Sequence, residues 1–178
     1  MPASRYCSPP VRCAKFGIMT PQIDPTEQVL ESLKEALKAE LTAVHQYLLH
    51  ARMCQSWGYS RLVDYNRQEC LEELAHAEAL IDRILFLKSV PDMNEMSPIR
   101  ICNDVKEQFE TDLALETEAV ARLNDAVAAA SDANDNVSRA LFDKILADED
   151  HHVEHLESQL HIMHEIGMSN YLAGQIGK

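Results

Sequence analysis

The sequence predicts an all-α protein: a four-helix bundle with one long crossover between its second and third helices and a short fifth helix at the C-terminus. Three observations predict it. The five glycines and seven prolines fall outside the long segments of the chain or at their ends. Four such segments repeat apolar residues at helical spacing. Between the second and third lies a proline-bearing stretch far longer than antiparallel neighbours require.

Asp24-Pro25-Thr26-Glu27 starts the first helix, with Asp24 as N-cap, Pro25 in the first turn and Glu27 placed to complete a capping box. It is expected to run to about Ser56, and its stripe reads Leu30, Leu33, Leu37, Glu40, Leu41, Val44, Tyr47 and Leu48. Glu40 therefore lies in the apolar seam. Trp57-Gly58-Tyr59-Ser60 breaks the pattern, and the second helix, about Ser60 to Lys88, places Leu62, Tyr65, Glu69, Glu73, His76, Leu80, Arg83, Ile84 and Leu87 along one side.

Residues 89 to 103, with Pro91 and Pro98, form the connection. A helix of about 27 residues is roughly 40 Å long. Fifteen extended residues reach about 50 Å, enough to return along the bundle and set the second and third helices parallel. The third helix, about Asp104 to Ala130, gives Phe109, Leu113, Glu116, Val120, Leu123 and Val127. After the turn-rich stretch from Ser131 to Asn136, the fourth, about Val137 to Glu165, gives Leu141, Ile145, Glu149, His152, Leu156, Leu160 and Met163. Ser169 to Ile176 is the short fifth helix.

Carboxylates on apolar stripes need a reason, and their spacing supplies one. Glu73 with His76, and Glu149 with His152, are Glu-x-x-His pairs whose members share a helix face. Each lies 33 residues after a lone glutamate, since 73 − 40 = 33 and 149 − 116 = 33. The predicted turns fall near the midpoint of each interval, so folding each hairpin brings its ligands level. One Glu from each of two helices and Glu-x-x-His from each of the other two is the ligand set of di-iron carboxylate bundles. Four carboxylates and two imidazoles suit two metals about 3.5–4 Å apart, iron or manganese better than copper or structural zinc. Without cations or protons, burying them would be very unfavourable.

Singly, each of these residues reads as readily as a paired core group; six in register do not. Tyr47, two turns beyond Glu40, either hydrogen-bonds a ligand or undergoes oxidation, or is an ordinary core tyrosine. Glu69 and Glu72 flank the second-helix pair, as support for the ligands or as solvated groups. His45, His50, His151, His155, His161 and His164 read as surface histidines.

The chain has 178 residues, 46% of them hydrophobic and 25% charged, which suits one soluble domain with a sizeable core. A net charge of −13 argues against nucleic acid as a partner. No apolar run approaches the roughly 20 residues that span a bilayer, so no membrane association is expected. Five cysteines without a C-x-x-C pair read as free thiols in a reducing compartment, and the cytoplasm is expected. Residues 1–22 are basic, acid-free and rich in Pro and Ser, and are expected to form a disordered extension preceding a domain over 23–178.

From about Thr26 to Lys178 the chain resembles bacterioferritin, carried by AELTAVHQYLLHARM, Trp57-Gly58, ECLEELAHAEALIDRILFL, DLALETEA, DEDHH and NYLAGQI. The resemblance implies a ferritin-like bundle, iron storage, and a homo-oligomeric shell of 24 subunits. It implies a di-iron ferroxidase, with Glu40, Glu73, His76, Glu116, Glu149 and His152 as ligands and Glu73 and Glu149 bridging. Four ferrous ions, one dioxygen and four protons would give four ferric ions and two waters; peroxide is the other oxidant of the family. A ferredoxin would supply electrons for iron release.

One departure matters. The family's haem b is held between subunits by a methionine immediately after the metal glutamate of the second helix, and here that position is Leu74. Leucine offers iron no lone pair, so a shell made only of this chain is expected to lack that haem. A second, methionine-bearing bacterioferritin subunit, or haem held by another group such as Met53, would be the escape. His155 stands where some relatives have tryptophan, and Gln68 where some have a cavity-facing histidine. The alternative is a di-iron peroxidase or oxidoreductase similar to rubrerythrin, although the two C-x-x-C pairs of its usual partner module are missing.

Overall fold

The computed structural model describes residues 25–177. It contains α1 (Pro25–Trp57), α2 (Ser60–Phe86), α3 (Val105–Asp132), α4 (Asn136–Ile166) and α5 (Met168–Gln175), with no strand among the described residues. The expected N-cap Asp24, the 1–22 extension, Cys7 and Cys13 lie outside them. Cys54, Cys70 and Cys102 are free thiols. No helix among the described residues is long and apolar enough to cross a membrane.

The helices α1, α2 and α3 end in the same way, which keeps the turns after α1 and α3 short. Gly58, Lys88 and Asn134 all have left-handed backbones, with φ of 86°, 63° and 56°. In each case the following N–H reaches five residues back: Tyr59 to Cys54, Ser89 to Ile84 and Asp135 to Ala130. These are Schellman closures, favoured where Gly or Asn supplies the left-handed residue. The closure at Lys88 ends α2 at Phe86, two residues before the predicted boundary.

The α3–α4 turn is tied to α2 by a residue assigned to the apolar stripe. Arg83 donates twice to Asp135, at 2.7 and 2.9 Å, and once to Ser138 Oγ at 2.8 Å. Asp135 also caps α4 by accepting from the Ser138 N–H. Partial burial opposes ionisation of Asp135, but the Ser138 bonds and the guanidinium outweigh it and lower its pKa.

Chain directions follow from side-chain pairs. Tyr47 meets Glu116, His50 meets Asp112 and Cys54 meets Gln108. Numbers rise on α1 as they fall on α3, so these helices are antiparallel. Since α1 also forms an antiparallel hairpin with α2, α2 and α3 are parallel, as the crossover length required. The crossover is held to α1 by side chain against backbone. Gln46 donates to the Arg100 carbonyl and accepts from the Arg100 N–H, both at 2.8 Å, and Thr42 accepts from the Ser97 N–H at 3.0 Å.

Two apolar clusters fill the bundle. One contains Leu33, Leu37, Leu80, Ile84, Leu123, Phe142 and Ile145. The other contains Cys54, Leu62, Phe109, Leu156, Met163 and Tyr171, the last brought in by α5. The predicted stripes pass through both, with two misses. Leu48 is exposed, whereas Phe142, adjacent to the predicted Leu141, is fully buried. On α2, α3 and α4 the ionisable residues singled out above lie between the two clusters, and on α1 Glu40 adjoins Leu41 of the first.

Candidate metal centre

Glu40, Glu73, His76, Glu116, Glu149 and His152 are each between 0% and 7% exposed, and the bundle brings all six together. Their donor atoms form two overlapping groups, each with atoms within 4.8 Å of one another. One is Glu40, Glu73, His76 and Glu149; the other is Glu73, Glu116, Glu149 and His152. Glu73 and Glu149 belong to both. Helix geometry makes this possible, since each Glu-x-x-His pair directs a carboxylate and an imidazole to one side.

Both imidazoles turn Nδ1 inward. His76 Nδ1 is 3.2 Å from Glu73, 3.3 Å from Glu149 and 3.5 Å from Glu40. His152 Nδ1 is 2.9 Å from Glu149 and 3.5 Å from Glu73. The outer nitrogens meet carboxylates as well: His76 Nε2 lies 3.2 Å from Asp148, and His152 Nε2 lies 3.1 Å from Glu69 and 3.8 Å from Glu72. The support is crossed. The acid preceding the α4 glutamate holds the α2 histidine, and the acid preceding the α2 glutamate faces the α4 histidine. Metal-ligating histidines commonly have such an outer acceptor, which fixes the tautomer.

The cluster ionises unevenly. Burial raises the Glu73 carboxyl well above its ordinary range, reinforced by Glu149 and Glu40 and opposed by the bond from His76. Glu116 is raised likewise by burial, then by Glu73 and Glu149. Burial also opposes ionisation of Glu149, but bonds from His152 and His76 bring it down to about 2. Burial would lower the His76 pKa, yet the bonds of Glu149, Glu40 and Glu73 raise it strongly. Glu73 and Glu116 thus hold their protons more tightly than ordinary carboxyls in the absence of cations. Two buried carboxylate oxygens, Glu73 Oε1 and Glu149 Oε1, have only an imidazole nitrogen at 3.5 and 3.3 Å and make no hydrogen bond among the described residues. Those vacant acceptors on the two shared glutamates fit a pair of cations.

Beside His152 is a cavity of about 350 Å³ lined by Tyr65, Gln68, Glu69, Glu72, Asp148, His151, His152 and His155. Glu69 is buried, and this lifts its carboxyl to about 7 despite His152. Glu72 remains partly exposed. Tyr47 is buried and donates to Glu116 Oε1 at 2.5 Å, so its hydroxyl reaches the cluster directly.

His50 is not a surface residue. It is fully buried, with Nδ1 3.0 Å from Asp112 Oδ2 and Nε2 2.7 Å from Gln46 Nε2. Since Gln46 can only donate from that nitrogen, His50 Nε2 accepts and its Nδ1–H donates to Asp112. No periodicity in α1 alone could show this, because the partner lies 62 residues away on α3. Asp148 was also missed, although the repeat contained a signal: both ligand glutamates follow an acid, Glu72-Glu73 and Asp148-Glu149.

Comparison with known proteins places this geometry in a class. The family model described as Ferritin-like domain matches residues 30–166. Bacterioferritin from Mycolicibacterium paratuberculosis is 41% identical over 152 residues, covering 85% of this chain and 94% of the relative. Those from Brucella melitensis and Streptomyces coelicolor are 43% and 41% identical, covering 81% and 85% of the chain and 89% and 90% of the relatives. The chain belongs to the bacterioferritin family.

Proposed function

We propose that this chain is the ferroxidase subunit of an iron-storage shell. It binds two ferrous ions as substrate at Glu40, Glu73, His76, Glu116, Glu149 and His152, passes their electrons to dioxygen or peroxide, and delivers ferric iron to a cavity enclosed by 24 cytoplasmic copies. Family membership supports iron storage. The observation that supports the site assignment is that two ligand groups overlap at Glu73 and Glu149, each of which keeps one buried oxygen, Oε1, without a hydrogen bond among the described residues.

The residues divide the work as follows. Asp148 accepts from the His76 Nε2–H, and the Glu69 carboxyl lies 3.1 Å from His152 Nε2, which leaves the Nδ1 lone pairs of His76 and His152 directed at the cations. Binding displaces the protons held by Glu73 and Glu116, so ferrous uptake releases protons to solvent. Four carboxylates around two ions favour the higher iron charge, which draws the centre toward the ferric state. Tyr47, by donating to Glu116, fixes that carboxylate. The cavity beside His152 gives solvent and iron access to the site.

Leu74 is 41% exposed, beside Leu71 at 63% on the same helix. Together with Leu48 of α1 they offer an apolar strip suited to a second subunit. Leucine there supplies no iron ligand, so a shell of this chain alone lacks haem held by paired methionines; a mixed shell with a methionine-bearing subunit restores it.

The test is to purify the chain, measure its mass in solution, add ferrous iron in air, and follow ferric absorbance and the iron kept soluble per particle. Rapid oxidation in a large particle retaining many irons per subunit is expected, with Glu73→Ala losing rapid oxidation while staying assembled. Wild-type kinetics in Glu73→Ala would remove the site assignment. Oxidation confined to about two irons per subunit, without a large particle, would refute storage.

A further inference from the structure

Between α1, the crossover and α3 lies a cleft of about 120 Å³ that the metal centre does not use. Thr42 and Gln46 of α1 line it, both buried, and each is bonded to the crossover backbone: Thr42 to the Ser97 N–H, and Gln46 to both the N–H and the carbonyl of Arg100. These bonds fix the crossover wall, so the cleft is formed before any ligand arrives. Arg100 lines it from the crossover and Arg122, half-buried, from α3. Neither guanidinium makes a hydrogen bond or an ion pair among the described residues, whereas Arg83 is held by Asp135 and Arg139 by Asp143. Glu118, the one carboxylate among the lining residues, lies one helical turn before Arg122 and pairs with neither arginine. The cleft therefore has a surplus of positive charge in a chain whose net charge is −13. Gathering two like charges at one cleft is unfavourable, and nothing in the fold offsets it. Two hydroxyls join them: Ser97 Oγ makes no hydrogen bond among the described residues, and Thr111 Oγ1 meets only the Cys102 thiol, at 3.4 Å.

We propose that this cleft binds a phosphoryl group, supplied as inorganic phosphate or as the monoester end of a small molecule. Guanidinium forks match a tetrahedral oxyanion, whose oxygens can be shared among two arginines and two hydroxyls at once. A carboxylate, with only two oxygens, would leave part of that donor set unused. The volume is that of about four waters, so the phosphoryl group enters and the rest of an ester stays outside. Arg100 and Arg122 supply the charge and the bonds, while Thr42 and Gln46 hold the wall that carries Arg100.

The experiment is calorimetric titration of the full chain, freed of iron by chelation and kept at constant ionic strength, with inorganic phosphate and, separately, with glycerol 3-phosphate. Removing iron ensures that phosphate is read on protein groups alone, so the result does not depend on the ferroxidase reading. Saturable binding is expected, and the tighter of the two ligands identifies the source. Arg100→Gln and Arg122→Gln should each weaken it about tenfold or more. Arg100 holds Gln46 through its backbone, so the first substitution leaves the wall in place. Arg52→Gln, at an arginine outside the cleft that also has no ion pair, should bind as wild type does. Wild-type affinity in both Arg100→Gln and Arg122→Gln, an equal loss in Arg52→Gln, or no saturable binding of either ligand by the wild type would each overturn the proposal.

Discussion

Replacing Glu69 by glutamine is expected to stabilise the metal-free protein, and to do so increasingly as the pH rises. Glu69 is buried beside His152, and its carboxyl titrates at about 7 in the fold against an ordinary 4.5. Burial is the main cause. The folded state therefore holds this proton more tightly than the unfolded state does. That contribution to stability is complete below pH 4.5 and is lost as the pH rises toward 7. At 1.36 kcal/mol per pKa unit the whole interval amounts to about 3 kcal/mol. About 2 kcal/mol of it falls between pH 5 and pH 8 after a discount for the solvent reaching the group from the cavity. Glutamine cannot ionise, so the variant escapes this loss. Thermal unfolding of chelated wild type and Glu69→Gln, at pH 5 and at pH 8, reads the effect as a difference of differences, in which the constant contribution of assembly cancels. For a chain of this size 2 kcal/mol shifts the midpoint by about 4–8 °C. The gap in favour of the variant should be larger at pH 8 by about that much. A gap independent of pH, or one that shrinks from pH 5 to pH 8, would refute the assignment of a protonated, buried Glu69.

Loading the metal-free protein at pH 7 with zinc, which is redox-silent, should release protons from Glu73 and Glu116, visible with a weakly buffered indicator; no release would contradict their raised affinity for protons. Phe142→Ala, at the fully buried centre of one apolar cluster, should cost about 3–5 kcal/mol in denaturant unfolding, and a loss under 1 kcal/mol would mean the position is looser than described. Arg83→Ala removes three charge-assisted bonds between α2 and the α3–α4 turn and should cost about 1.5–3 kcal/mol; an unchanged midpoint would show the tie to be idle. Leu74→Met, supplied with haem, should acquire a low-spin haem spectrum, and an unchanged spectrum would count against the ligand argument.

The helices and the six candidate ligands were legible in the sequence because both signals are local and periodic. Glu40 and Glu73 sit in apolar stripes that can be traced by eye, and the breakers between them are a few residues long. What escaped was settled by contacts between helices distant in sequence. His50 looks like any helix-surface histidine until α3 brings Asp112 against it. Arg83 lies on an apolar stripe, yet its purpose becomes visible only when the turn at Asp135 is in place. Lys88 ends α2 because the backbone closes there, a choice that neither glycine nor asparagine advertised.

The midpoint placement of the ligands has a mechanical consequence. Of the six, His76 lies nearest to a helix end, and it is still 10 residues inside α2, since 86 − 76 = 10. Fraying begins at helix termini and spreads inward, so about three turns must open before any ligand is disturbed. Amide hydrogens flanking Glu40, Glu73, Glu116 and Glu149 should therefore exchange only through opening of the whole bundle. The centre can lose its shape only together with the fold, so a subunit able to exchange its cargo many times need not loosen its scaffold to do so.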